Sequence, residues 1–246
     1  LHVRSRRQRQ MCIRDRERNF FHYDQAAVDH LARRDKKLAA AMQAIGPVRR
    51  EVMPDLFQAL MHAITGQQIS MAAQRTVWGR LCGLLGEVAP QALLAQPQAA
   101  LQALGLSARK VDYMRGIARQ VVDGELDLPG MAALEDAEVC RRLSSLRGIG
   151  VWTAEMLLLF SLQRPDILSY DDLAIRRGLR MLYRHREMPR ERFERYRRRF
   201  SPYGSLASLY LWAIAGGALP ELDDPAERQK NSSRPPARVR STPVKA

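Results

Sequence analysis

The 246-residue chain is poor in cysteine, in long apolar runs and in acidic charge. Its three cysteines, Cys12, Cys82 and Cys140, have no metal-ligand spacing and suggest no disulfide framework, so a reducing cytoplasm is the expected setting. The longest apolar runs, such as residues 156–162, fall well short of the roughly 20 residues a membrane helix needs, and no secretory signal is evident. Sustained period-two alternation with β-branched residues is missing too, which argues against a sheet. Asp and Glu total 26 against 40 Lys and Arg, a net charge of +14. That balance points to a polyanionic partner, most simply nucleic acid.

The charge is uneven. Residues 1–20 carry +5 and residues 225–246 another +5, leaving +4 for the middle. Met11–Arg16, "MCIRDR", is what ATG-TGT-ATA-AGA-GAC-AG(A/G) encodes, a match to a common transposon-derived sequencing adapter. Residues 1–16 are therefore read as a scar and set aside with their charge, the alternative being a natural basic arm. At the other end, 221–246 is rich in Pro, Ser and Arg and predicts a disordered basic tail.

Between about 24 and 218 nearly every segment has helical period, and stops and caps recur: Gly46, Pro54 with Gly66, Ser107 with Gly124. The expectation is an all-α fold of roughly ten short helices. It divides into a central bundle over 51–163 and a second subdomain from 17–50 plus 164–220, with a cleft between them.

Residues 146–172 carry the chemistry: "LRGIGVWTAEMLLLFSLQRPDILSYDD". Gly148 and Gly150 make a tight turn that opens a helix at Val151. Free amides at such a start form an anion site that can grip a phosphate without reading sequence; a plain helix–helix turn is the alternative. Asp171 and Asp172 begin the next helix, where the dipole favours a carboxylate. Asp172 is the catalytic candidate and Asp171 its neighbour as cap or support, unless both are ordinary caps.

With "AITGQQISMAAQRTVWGRL", "LGLSARKVDYMRGIA" and "SPYGSLASLYLW" also present in order, the chain resembles the helix–hairpin–helix DNA glycosylase superfamily. More narrowly it resembles the alkylated-base branch, DNA-3-methyladenine glycosylase II, over about residues 20–218. The resemblance implies excision of damaged bases from duplex DNA in base excision repair by a monomer, in a bacterial cytoplasm at the nucleoid. It places Asp172 beside the deoxyribose C1′, where a carboxylate stabilises the cation formed as an N-glycosidic bond breaks. Bifunctional members have a Schiff-base lysine where this chain has Trp152, so no lyase step is expected.

Trp152, Tyr203 and Trp212 become base-pocket candidates, since a cationic base can stack on an electron-rich ring. Trp152 and Trp212 are equally readable as core residues. Phe20, Phe21 and Tyr23 are further possibilities for the pocket. Gln67 and Gln68 match the loop that fills the gap left by an extruded base, or else cap a helix end. The Arg-rich run 184–199 reads first as a solvated, salt-bridged helix face. The resemblance implies no organic cofactor and no iron–sulfur cluster, as the four C-terminal cysteines are lacking. It allows a monovalent cation on the hairpin's backbone carbonyls. A glycosylase for hypoxanthine or an oxidised purine, and a non-catalytic damage-binding protein, are the alternatives. The carboxylate argues against the last of these.

Overall fold

Cap residues divide the chain into short helices. In the computed structural model, which describes residues 20–227, Asp24, Asp35, Asp55, Ser70, Ser107 and Asp172 each accept a backbone N–H of the turn they precede. The helices are α1 (Gln25–Arg34), α2 (Lys36–Ile45), α3 (Leu56–Gly66), α4 (Met71–Leu85), α5 (Pro90–Ala95) and α6 (Gln98–Ala103). They continue as α7 (Ala108–Val122), α8 (Asp136–Ser144), α9 (Val151–Phe160), α10 (Leu173–Tyr183), α11 (Arg190–Phe200) and α12 (Gly204–Ala215), with a 3-10 turn at Pro129–Ala133. Among the described residues extended pairing is limited to one antiparallel bridge, Phe20 with Glu51. The fold is all-α, and no described helix is long and apolar enough to cross a membrane.

Buried side chains form two clusters. One joins α3, α4, α7, α8 and α9 through Leu60, Met61, Ile64, Leu81, Val111, Met114, Val139, Leu143 and Leu157. The other joins α1, α2, α10, α11 and α12 through Leu31, Leu38, Ile175, Leu179, Phe193, Phe200 and Leu211. Each large apolar side chain buried in this way contributes about 1.5–3 kcal/mol. Tyr23, Val48 and Trp212 pack against both clusters.

Residues 161–172 connect the clusters, and the start of α12 fixes their course. Asp166 accepts the Gly204 N–H (2.9 Å) and the Ser201 hydroxyl (2.6 Å). Ser205 Oγ accepts the Ile167 N–H at 2.9 Å, and Ser208 Oγ donates to the Ile167 carbonyl at 2.8 Å. Helices α10 and α12 then cross closely because Gly178 has no side chain: a Cβ there would collide with the Leu211 carbonyl. That crossing brings Trp212 to the start of α10.

The helix end read at Gly66 is where α3 stops, with Gln67 as its cap, and the end of the Gln74 side chain lies where a Gly66 Cβ would be. One sequence expectation changes. The tail predicted from 221 is ordered over 221–227, where Asp223, Asp224 and Glu227 pair with Arg184, Arg180 and Arg177 of α10 and its cap. Asp224 is buried, and the arginines hold its carboxyl below the usual range against that burial. The reading of 1–16 as a scar, and of 228–246 as a tail, lies outside the described residues.

Candidate active site

Helix α9 begins at the glycine turn. Gly148 has φ +88°, and a side chain there would strike the Tyr113 ring. Backbone and space both demand glycine. Gly150 differs: it is the N-cap of α9, with φ −91°, and a Cβ would meet nothing within 4 Å. No side chain caps this terminus, and Val151 beside it is exposed. The amides of Val151, Trp152 and Thr153 thus have no side-chain cap at the positive end of a helix, the kind of terminus that attracts an anion.

Helix α10 begins in the opposite manner. The cap is Asp172 itself, only 7% exposed. Its Oδ1 accepts the Ile175 N–H at 2.8 Å and the Trp212 indole N–H at 3.1 Å. Its Oδ2 accepts the Trp152 indole N–H at 3.0 Å. A carboxylate offers about four acceptor positions. Three are taken, and the open one lies on Oδ2. Asp171 is neither cap nor partner of these groups: it lies exposed one residue outside the helix, and its influence falls on Glu155.

Trp152 is 46% exposed and has no ring–ring or cation–π contact among the described residues, so its face is available. Trp212 is not so free. It stacks on Phe160 (centroids 5.4 Å apart, 23° between planes), and the Arg50 guanidinium lies 5.9 Å from its centroid. Trp212 packs against both cores, as the core reading has it, and its indole N–H also bonds Asp172.

The structure does not bring Tyr203 to this group. Tyr203 precedes α12 by one residue and lies nine residues before Trp212, about 13 Å along the axis at 1.5 Å per residue. It packs edge-on to His30 and lines a separate cavity of about 340 Å³ with Phe21 and Tyr23. Phe20 lies under Arg49. Gln67 turns inward, its Nε2 donating to the Gly148 carbonyl at 2.6 Å, which ties the α3–α4 turn to the glycine hairpin. Gln68 is exposed at φ +59°, next to exposed Ile69 and Met71.

Sequence reasoning missed a second tether between the same elements. Glu155, one turn after Trp152, accepts a short hydrogen bond from the buried Ser169 hydroxyl, three residues before Asp172. Burial pushes the Glu155 carboxyl up, helped by Asp171, while the Ser169 bond, Arg197 and Arg190 oppose the shift. A lone acid inside "VWTAEMLLLF" was the available signal. The Arg-rich run behaves as predicted in part: Arg195 and Arg197 pair with Glu191 and Glu194 along α11, while Arg199 reaches Asp35 at 2.8 Å. Among the described residues no cluster of three His, Cys, Asp or Glu side chains suits a metal.

Known proteins are similar to this chain in sequence and fold. Residues 61–202 match the HhH-GPD superfamily base excision DNA repair protein family. DNA-3-methyladenine glycosylase 1 of Schizosaccharomyces pombe is 30% identical over 74% of this chain and 84% of its own. A crystal structure of DNA-3-methyladenine glycosidase from Bacillus halodurans superposes with a TM-score of 0.75 at 32% identity, covering 86% of this chain and 99% of the other. The Schizosaccharomyces pombe 3-methyladenine DNA glycosylase in complex with abasic DNA gives 0.67 at 28% identity, over 76% and 95%. The chain belongs to the HhH-GPD superfamily of base excision DNA repair proteins.

Proposed function

We propose that this chain is a monofunctional DNA glycosylase that excises alkylated bases of the 3-methyladenine type from duplex DNA. The observation that carries the reading is the Asp172 carboxylate, held by three N–H donors between two tryptophans with one acceptor position open. Breaking an N-glycosidic bond develops positive charge on C1′ and the ring oxygen. A fixed carboxylate stabilises that charge with little reorganisation, and its open lone pair can accept a proton from an incoming water. An alkylated purine is already cationic and leaves without a strong general acid, so one carboxylate suffices. The free face of Trp152 is the stacking surface for such a base, at about 0.5–2 kcal/mol. Trp212, with Phe160 and Arg50 at its faces, positions Asp172 instead.

The lack of a lyase step rests on Trp152 and on the lysines. Of the described ones, Lys110 donates to the Thr65 carbonyl at 2.8 Å, and Lys36 and Lys37 lie on α2. None is placed with Asp172. Extruding a base leaves a gap in the duplex; Gln68 is the glutamine free to fill it, as Gln67 is held by the hairpin. The α9 terminus grips a phosphate. The test is incubation with methylated duplex DNA and chromatography of the released bases. Release of 3-methyladenine, with intact abasic strands and no borohydride-trapped adduct, is expected. Binding without release, or a trapped adduct, contradicts the proposal.

A further inference from the structure

A cavity of about 410 Å³ opens beside Trp212, walled by Val48, Arg49 and Arg50 before α3, Ala174 and Arg177 of α10, and α12. Its lining holds three arginines and no carboxylate. Arg177 is paired with Glu227 and lies 3.9 Å from Asp224. Arg49 and Arg50 are exposed, and among the described residues neither has an ion pair. Each guanidinium instead lies over a ring, Arg49 over Phe20 at 4.2 Å and Arg50 over Trp212 at 5.9 Å. A ring contact orients a guanidinium and leaves its in-plane N–H groups free for an oxygen ligand.

The place of this cavity gives the arginines a purpose. Asp172 accepts one indole N–H from Trp152, in the first turn at the hairpin, and one from Trp212, in the cavity wall. The candidate catalytic group is thus joined by a tryptophan to each of two cationic sites built from different elements. A cationic base would be repelled by three guanidiniums; a phosphate would not.

We propose that the cavity binds a backbone phosphate of the damaged strand through Arg49 and Arg50. This is a second anchor, on the other side of the extruded nucleotide from the phosphate at the α9 terminus. The inference rests on the reading that the chain acts on DNA.

The test uses the full chain, its R49Q/R50Q and R50K variants, and a lesion duplex in which single phosphates near the lesion are replaced by uncharged methylphosphonates. Both arginines are exposed, so unchanged circular dichroism and melting will show that the variants fold. For R49Q/R50Q the log–log salt slope of binding should become shallower by about 0.9, the value of one phosphate contact. R50K, which keeps the charge, should recover most of it. One methylphosphonate position should weaken the wild type and have no further effect on R49Q/R50Q. An unchanged slope, or no such position, overturns the proposal. So does binding of inorganic phosphate without any methylphosphonate effect, which would make free phosphate the ligand. Failure of the glycosylase reading shows separately, as wild-type protein that releases no base whatever its salt slope.

Discussion

The starts of α9 and α10 lie twenty-two residues apart and meet through one indole, yet they use the same helix-end electrostatics in opposite ways. At Gly150 no side chain caps the helix, and a Cβ there would meet nothing within 4 Å. At Asp172 the cap is a buried carboxylate that takes its own helix's amide and two indole N–H groups. In the proposed function the open terminus serves an anion brought by a ligand, and the filled one holds the protein's own anion in place for a developing cation. Binding and chemistry are therefore assigned to neighbouring helices and should separate by mutation.

The largest effect is expected for Asp172→Asn. Asparagine is a good N-cap, but its NH₂ must face an indole N–H in a buried site, so stability should fall by about 1–3 kcal/mol with the fold kept, and the charge is gone. Single-turnover base release should fall about 100-fold or more; a near-wild-type rate would remove Asp172 from the chemistry. Trp152→Ala follows, with a loss of about 10- to 100-fold, because one donor to Asp172 and the free ring face go together. Trp152→Phe keeps a ring without the N–H. An activity for Phe equal to that of Ala would show that the hydrogen bond, not stacking, is what matters.

The two glycines of the turn sharpen the comparison next. Gly148→Ala should destabilise by about 1–3 kcal/mol in thermal or urea unfolding, since φ is +88° and Tyr113 occupies the space. Gly150→Val should leave stability within about 0.5 kcal/mol and weaken DNA binding by placing bulk at the open terminus. Equal stability losses would mean that Gly150 has a structural role. The smallest effect concerns Glu155. Its folded carboxyl is raised by burial above the ordinary 4.5, so the folded state binds the proton more tightly than the unfolded one. Stability relative to Glu155→Gln should then fall as pH rises from about 4.5 through the raised value and stay level above it. A wild-type minus Gln difference in melting temperature that does not vary across that window contradicts the assignment.

The sequence showed what depends on local spacing. A Gly-x-Gly turn before an apolar helix and a carboxylate at the next helix start are short-range patterns, so the hairpin, Trp152 and Asp172 were legible together. Facing was not. An aromatic on a turn does not say which end of its helix meets the cleft, and Tyr203 proved to sit about 13 Å along α12 from Trp212. Gln67 and Gln68 are adjacent, but the left-handed backbone at Gln68 sends one inward to Gly148 and leaves the other exposed. Glu155 with Ser169, Arg50 with Trp212, and Gly178 under Leu211 are contacts between distant segments. No periodicity encodes them.

The division between gripping and chemistry can be read in one titration. Asp172→Asn, Gly150→Val and the wild type are each raised in concentration against a fixed trace of duplex carrying 3-methyladenine, and the single-turnover release rate is followed to saturation. Asp172→Asn should lower the plateau by about 100-fold or more with its half-saturation point unmoved. Gly150→Val should shift half-saturation to higher enzyme concentration and reach the wild-type plateau. A plateau lowered by Gly150→Val, or a wild-type plateau for Asp172→Asn, would contradict the assignment of the open helix end to binding and the filled one to catalysis.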